Sequence, residues 1–143
     1  MLKKTLVGIV VCLGLAGSAA AQESSELKVG MDALSGSVSA LQMGFFTNDK
    51  KISLDAIAML KKNVEKYLGN KATITKLLPE DEKYKASIAV NSAQMIEKYA
   101  AQIEKELSDK NMSAINREMS TQKAFLDIQN QCFRCHNLVR DWQ

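Results

Sequence analysis

The sequence predicts an all-α protein, an antiparallel up-down-up-down four-helix bundle. Three observations carry that expectation. The chain holds a single Pro and only seven Gly in 143 residues. No run alternates β-branched and polar residues at period two, the mark of a half-buried strand. Four segments instead repeat apolar residues at spacings of three and four, the period of a helix buried along one face. Mostly short polar connections make successive helices antiparallel neighbours.

The first 21 residues read as a secretory signal peptide. Lys3 and Lys4 form a positive start, and Leu6 to Ala16 is an apolar core too short to span a bilayer comfortably. Ala19-Ala20-Ala21 is a small-residue cleavage site, so residues 22–143 form the expected mature domain. Cys12 leaves with the leader, and Val11 before it does not suit a lipoprotein signal. These features place the mature protein in the periplasm, with no stable membrane insertion. About 120 residues suffice for one core. The formal charge of +3 includes Lys3 and Lys4, so cleavage leaves about +1. No basic run or stripe points to nucleic acid.

The first predicted helix runs from about Glu26 to Phe46, with Ser24 or Ser25 as N-cap. Its stripe is Leu27, Met31, Leu34, Val38, Leu41 and Phe45, a bundle seam. Ser35 and Gly36 thin its middle, which would let a bulky group approach. Residues 47–51 form a polar turn. The second helix begins at Ser53 as N-cap, with Asp55 in its first turn, where the helix dipole favours a negative charge. It buries Ile57, Leu60, Val64 and Tyr67 and ends at Gly69. Residues 70–79 are the longest and least regular connection. The third helix starts between Glu80 and Ala86, reaches about Leu107, and turns inward Ile88, Ser92, Met95, Tyr99 and Ile103. The fourth runs from about Ser113 to the C-terminus, with Ile115, Met119, Phe125, Ile128, Cys132, His136 and Val139 inward.

Cys132-Phe133-Arg134-Cys135-His136, a C-x-x-C-H motif, carries the chemistry. It reads as a covalent attachment site for one haem c. The two thiols form thioethers with the vinyl groups, and His136 becomes the proximal iron ligand. On a helix these three side chains share a face. A zinc site would need further ligands, but the chain has one His and no third Cys beyond the leader. A thioredoxin-like dithiol would need a βαβ context, which is missing. Export fits haem attachment, which in bacteria occurs outside the cytoplasm.

A signal peptide, four helices and C-x-x-C-H in the last helix resemble the cytochrome c′ / cytochrome c-556 family, the class II c-type cytochromes. Cys132 to Arg140 is similar to that family's C-x-x-C-H-x-x-F-R, with Val139 in place of the aromatic. Met31-Asp32-Ala33-Leu34 through Ala40-Leu41 resembles its first helix, and Leu54-Asp55-Ala56 the start of its second. The resemblance spans the mature chain and is specific at the haem motif. It implies the bundle fold and one covalent haem. It also implies either a Met on the sixth iron position, in electron carriers, or an apolar residue there. In the second case the iron is five-coordinate and binds nitric oxide or carbon monoxide. Family members often dimerise through the first two helices, so a homodimer is also implied.

Bis-His ligation within the chain is excluded by the single His. Met31 is the candidate distal ligand. It lies on the first helix seam at the end that neighbours His136 in such a bundle. Leu34, one turn on, takes its place over the iron if the register slips. Met43, Met59, Met95, Met112 and Met119 read as packing residues. Arg140 lies on the side of His136, and Tyr67, Tyr99, Phe125, Phe133 and Trp142 are candidate haem-packing aromatics. The Lys and Glu residues from Glu97 to Glu106 read as a solvated face. The expected function is a periplasmic carrier of single electrons between redox partner proteins, not an enzyme. The alternative is a high-spin protein that takes a diatomic gas ligand.

Overall fold

The computed structural model describes residues 18–139, with side chains from 26 to 137. The leader up to residue 17, Arg140 and Trp142 lie outside the described residues, as does the side chain of Val139. Every regular element among the described residues is helical: α1 (Ser18–Phe46), α2 (Lys50–Leu68), α3 (Lys71–Leu77), a 3-10 segment (Glu80–Lys85), α4 (Ala86–Ser108) and α5 (Ala114–Val139). No helix among them is long and apolar enough to cross a membrane.

The α1 seam follows the predicted stripe. Leu34 and Leu41 are buried, and Leu27, Met31, Val38 and Phe45 are half-buried. The helix runs back to Ser18, so Ser24 and Ser25 lie within it and do not cap it. Gly36 is exposed, and a Cβ there would meet no protein atom within 4 Å. Gly44 is different: a Cβ there would lie 2.8 Å from the Ser53 backbone nitrogen, so α1 and α2 meet closely only because the side chain is missing.

The second helix starts earlier than predicted. Asn48 takes a left-handed φ of 50°, which Asn tolerates better than most residues, and turns the chain at once after α1. Asp49 thereby becomes the N-cap, and its Oδ1 accepts the Ile52 N–H at 3.0 Å. Ser53 is buried instead and donates its hydroxyl to the Asp49 carbonyl at 2.9 Å. Asp55 falls beyond the first turn and pairs with Lys51. Gly69 keeps a right-handed φ of −70°, so α2 lacks the left-handed stop.

The stretch expected to be irregular contains α3. Asn70 caps it by accepting the Ala72 N–H at 2.8 Å, and buried Ile74 and Leu78 anchor it. The capping Asn was present in the sequence, but a helix this short leaves too little periodicity to read.

Helix α1 packs on α2, α2 on α4, and α4 on α5. The Asn63 amide of α2 donates to the Ala33 carbonyl at 3.2 Å and to Ser37 Oγ at 3.0 Å on α1. Together with the Gly44–Ser53 approach, this makes α1 and α2 antiparallel. The α4–α5 turn is held by Arg117, which donates to the carbonyls of Glu106 (3.2 Å), Asp109 (2.7 Å) and Met112 (2.9 Å). Buried Glu106 accepts from Ser120 at 2.6 Å across the same two helices.

Two predicted faces are corrected. On α4 the buried row is Ala86, Ala89, Ser92, Ala93, Ile96, Ala100 and Ile103, whereas Ile88, Met95 and Tyr99 are only half-buried. Alanines let neighbouring helices approach closely and so take the centre of the contact, pushing the larger side chains to its margins. On α5, Ile115 and Met119 are 71% and 66% exposed. Pairing Ser120 with Glu106 sets Ile115 past the end of α4, where no helix covers it. The α5 core face begins only at Thr121, Ala124, Phe125 and Ile128. Fully buried Leu41, Ile57, Leu60, Ile103 and Ile128 anchor the interior, each contributing about 1.5–3 kcal/mol.

Candidate functional site

Helices α1 and α5 do not touch along most of their length: among the described residues no Cα pair between them lies within 8 Å. They meet through Phe45 and Phe125, whose rings pack edge to face with centroids 5.6 Å apart. Toward the C-terminal end of α5 the gap becomes a cavity of about 300 Å³. Met31, Leu34 and Val38 of α1 form one wall. Cys132, Cys135 and His136 of α5 form the other. Leu60 and Leu68 of α2, with Ser92 and Ile96 of α4, make the floor.

The helical spacing of the motif produces the second wall. Residues i, i+3 and i+4 lie on one face, so the sequence alone sends both thiols and the imidazole to the same cavity. Both cysteines are free and partly buried. Burial pushes the Cys132 thiol above its ordinary value. Burial, and then the charge of Cys132, do the same for Cys135. Both are therefore neutral thiols at pH 7. His136 is exposed at the mouth.

The first wall is set by α2. The Tyr67 ring packs against Gly30, where a Cβ would lie 2.9 Å from it. That contact and the Asn63 hydrogen bonds hold the segment carrying Met31 and Leu34. Among the described methionines, Met31 alone lines the cavity. Met43, Met59 and Met119 are exposed, and Met95 and Met112 are half-buried elsewhere. The two walls run antiparallel, and the Phe45–Phe125 contact gives their register. Leu34 lies eleven residues before Phe45, and His136 eleven after Phe125. Leu34 is thus level with His136, and Met31 lies about one turn beyond it.

The aromatic candidates divide. Phe133 lines the cavity rim while 64% exposed. Phe125, Tyr67 and Tyr99 pack in or against the core and do not line the cavity. Leu60 of the predicted α2 stripe lines it, as do Leu68, Ile96 and Gln131, which lie on none of the predicted stripes. The buried face of α2 follows from periodicity, that of α4 is shifted by its alanines, and which buried positions face a cavity depends on how far two other helices stand apart.

Haem is compatible with these residues. The cavity is largely apolar and carries two thiols and an imidazole on one helix face. It also holds an orphaned polar atom: Gln131 Oε1 is buried without a hydrogen-bond partner. No group of three or more metal-ligating His, Cys, Asp or Glu side chains occurs among the described residues. A larger open groove between α2 and α4, about 890 Å³, is lined by Lys61, Lys62, Glu65, Glu97 and Lys98. Its charges are mixed, and it contains none of the motif residues. Compared with protein-family models, curated proteins and solved structures, the chain finds no match.

Proposed function

We propose that the protein is a periplasmic c-type cytochrome that carries single electrons. The observation that carries this reading is the convergence of Cys132, Cys135 and His136 on a cavity whose opposite wall holds Met31. The helices then form an antiparallel up-down-up-down bundle around one covalent haem, as in the cytochrome c′ / cytochrome c-556 family.

Cys132 and Cys135 hold the haem through thioethers, His136 supplies the proximal nitrogen, and Met31 supplies the distal sulfur. The haem iron, when present, supplies a centre that takes up and releases one electron. The chain's contribution is to fix the ligands and exclude water. Leu34, Val38, Leu60 and Ile96 give the cavity its apolar lining, which limits solvent rearrangement as charge changes. The rim at Phe133 and His136 stays open to solvent, so a redox partner protein can approach the haem edge. In this reading the protein is a carrier and not an enzyme.

A second reading rests on the register of the two walls. Leu34, not Met31, is level with His136. With Leu34 over the iron, the site is five-coordinate and accepts nitric oxide or carbon monoxide. Absorption spectra of the purified ferric and ferrous protein, with and without carbon monoxide, separate the two. A low-spin spectrum with a Met-to-iron charge-transfer band and no response to carbon monoxide supports the carrier. A high-spin spectrum that shifts with carbon monoxide replaces it with the gas-binding reading. No haem spectrum at all removes both.

A further inference from the structure

Among the described residues lining the cavity, Ser92 is the one buried polar residue, and Gln131 carries the one buried polar atom without a hydrogen-bond partner. Ser92 is only 3% exposed and lines the floor. Gln131 Oε1 is buried and unpaired on α5. The two sit close along the helix axes. Ser92 lies fourteen residues before Glu106, and Arg134 fourteen after Ser120, so the Glu106–Ser120 bond puts Ser92 within one turn of Gln131.

An unpaired buried polar group costs about 1–3 kcal/mol, so Gln131 Oε1 points to a ligand in the cavity, and the Ser92 hydroxyl lines the same space and can meet it. A hydroxyl and a primary amide can each donate, the amide after a half-turn that exchanges its oxygen and nitrogen. Among the described residues no Lys or Arg lines the cavity. With His136 given to the iron, the donors these residues offer a carboxylate are neutral. Haem carries two carboxylates, and Ser35, Ser39 and Gln42 at the exposed edge of α1 already offer polar contacts to one at the mouth. We infer that Ser92 and Gln131 form a charge-neutral anchor for the inner haem propionate. This inference rests on the haem reading above.

The test uses the full chain produced without haem attachment, kept reduced, and titrated with iron protoporphyrin IX or its dimethyl ester. Soret absorbance reports binding. Ser92→Ala and Gln131→Leu should each weaken the diacid by about tenfold, and Gln131→Glu at least as much through repulsion. All three should bind the diester like the parent. Ser92→Thr, which keeps the hydroxyl, should restore the diacid. Circular dichroism checks that each variant is folded. Equal weakening of diacid and diester, or no change in either, overturns the anchor and leaves the haem reading standing. A parent chain that binds neither porphyrin overturns both.

Discussion

Phe45 and Phe125 are the only aromatic ring pair found to join α1 to α5 among the described residues, edge to face at 5.6 Å and 86°. Beyond this contact toward Met31 and His136, the helices stand apart around the cavity. The pair acts as a closed end, and the opening on one side of it depends on the packing on the other. Phe125→Ala should cost about 3–5 kcal/mol, since Phe125 is 8% exposed and a large core side chain is lost. Thermal or urea unfolding measures this. Phe45→Ala, at a half-buried site, should cost less. A double-mutant cycle should return about 0.5–1.5 kcal/mol of coupling, and a coupling near zero would remove the pair as the link between the helices.

Met31→Ala should convert a low-spin haem to a high-spin one and open it to carbon monoxide. Met59→Leu should leave the spectrum unchanged, because Met59 is 57% exposed and does not line the cavity. A Met31→Ala spectrum identical to that of the parent takes Met31 off the iron. Leu34→Met then becomes the informative variant: it should turn a five-coordinate site low-spin if Leu34 stands over the metal.

The motif wall was legible in the sequence because helix geometry alone converts C-x-x-C-H into three side chains on one face. Met31 and Leu34 were legible as seam residues, but their height relative to His136 was not. That height depends on the Phe45–Phe125 contact, between residues 80 positions apart. The late start assigned to α2 came from reading Ser53 as a cap without the left-handed turn at Asn48 that frees Asp49. Ile115 and Met119 fit the helical period of α5 but lack a partner helix to bury them. Periodicity identifies an apolar face, and only the lengths of its neighbours determine how much of it is covered.

Arg117 should matter for stability and not for the spectrum. Its guanidinium satisfies three carbonyls at the α4–α5 turn, and the neighbouring Glu106 carboxylate accepts from Gln102 and Ser120. Arg117→Ala should cost about 1–3 kcal/mol, read as a lower midpoint in denaturant, with the haem absorption of the folded protein intact. A shifted Soret band would mean that the turn also sets the position of α5 at the cavity.

The close approach at Gly44 predicts a larger effect from a smaller change. A methyl group there would lie 2.8 Å from the Ser53 backbone nitrogen. Backbone does not swing aside as a side-chain tip does, so α1 and α2 must separate. Gly44→Ala should therefore destabilise by about 1–3 kcal/mol, although Ala ordinarily favours a helix over Gly by up to about 1 kcal/mol. Gly36→Ala is the matched control. A Cβ there meets nothing, so propensity alone acts and the change should stabilise. Both variants giving the same sign in urea unfolding would show that the helices do not meet at Gly44.

The thiols give a prediction with a definite pH direction. Burial raises both Cys132 and Cys135 above the ordinary value of 9.0. In the haem-free chain the neutral thiol is the form the fold favours. The resulting stability is fully present below the unfolded-state pKa and is lost as pH rises through the higher folded-state value. Haem-free protein should thus unfold at lower denaturant as pH climbs above about 9, and a Cys132→Ser/Cys135→Ser variant should lose that dependence. Alkylation by iodoacetamide at pH 8 should be slower on the folded chain than in urea, since the thiolate reacts and the fold suppresses it. In the haem-loaded protein both sulfurs are consumed, so neither reagent uptake nor the alkaline loss should appear. Cys132→Ser or Cys135→Ser alone should weaken or abolish haem staining of the denatured chain. Full alkylation of both thiols in protein that still stains for haem would exclude thioethers and, with them, the reading of the motif.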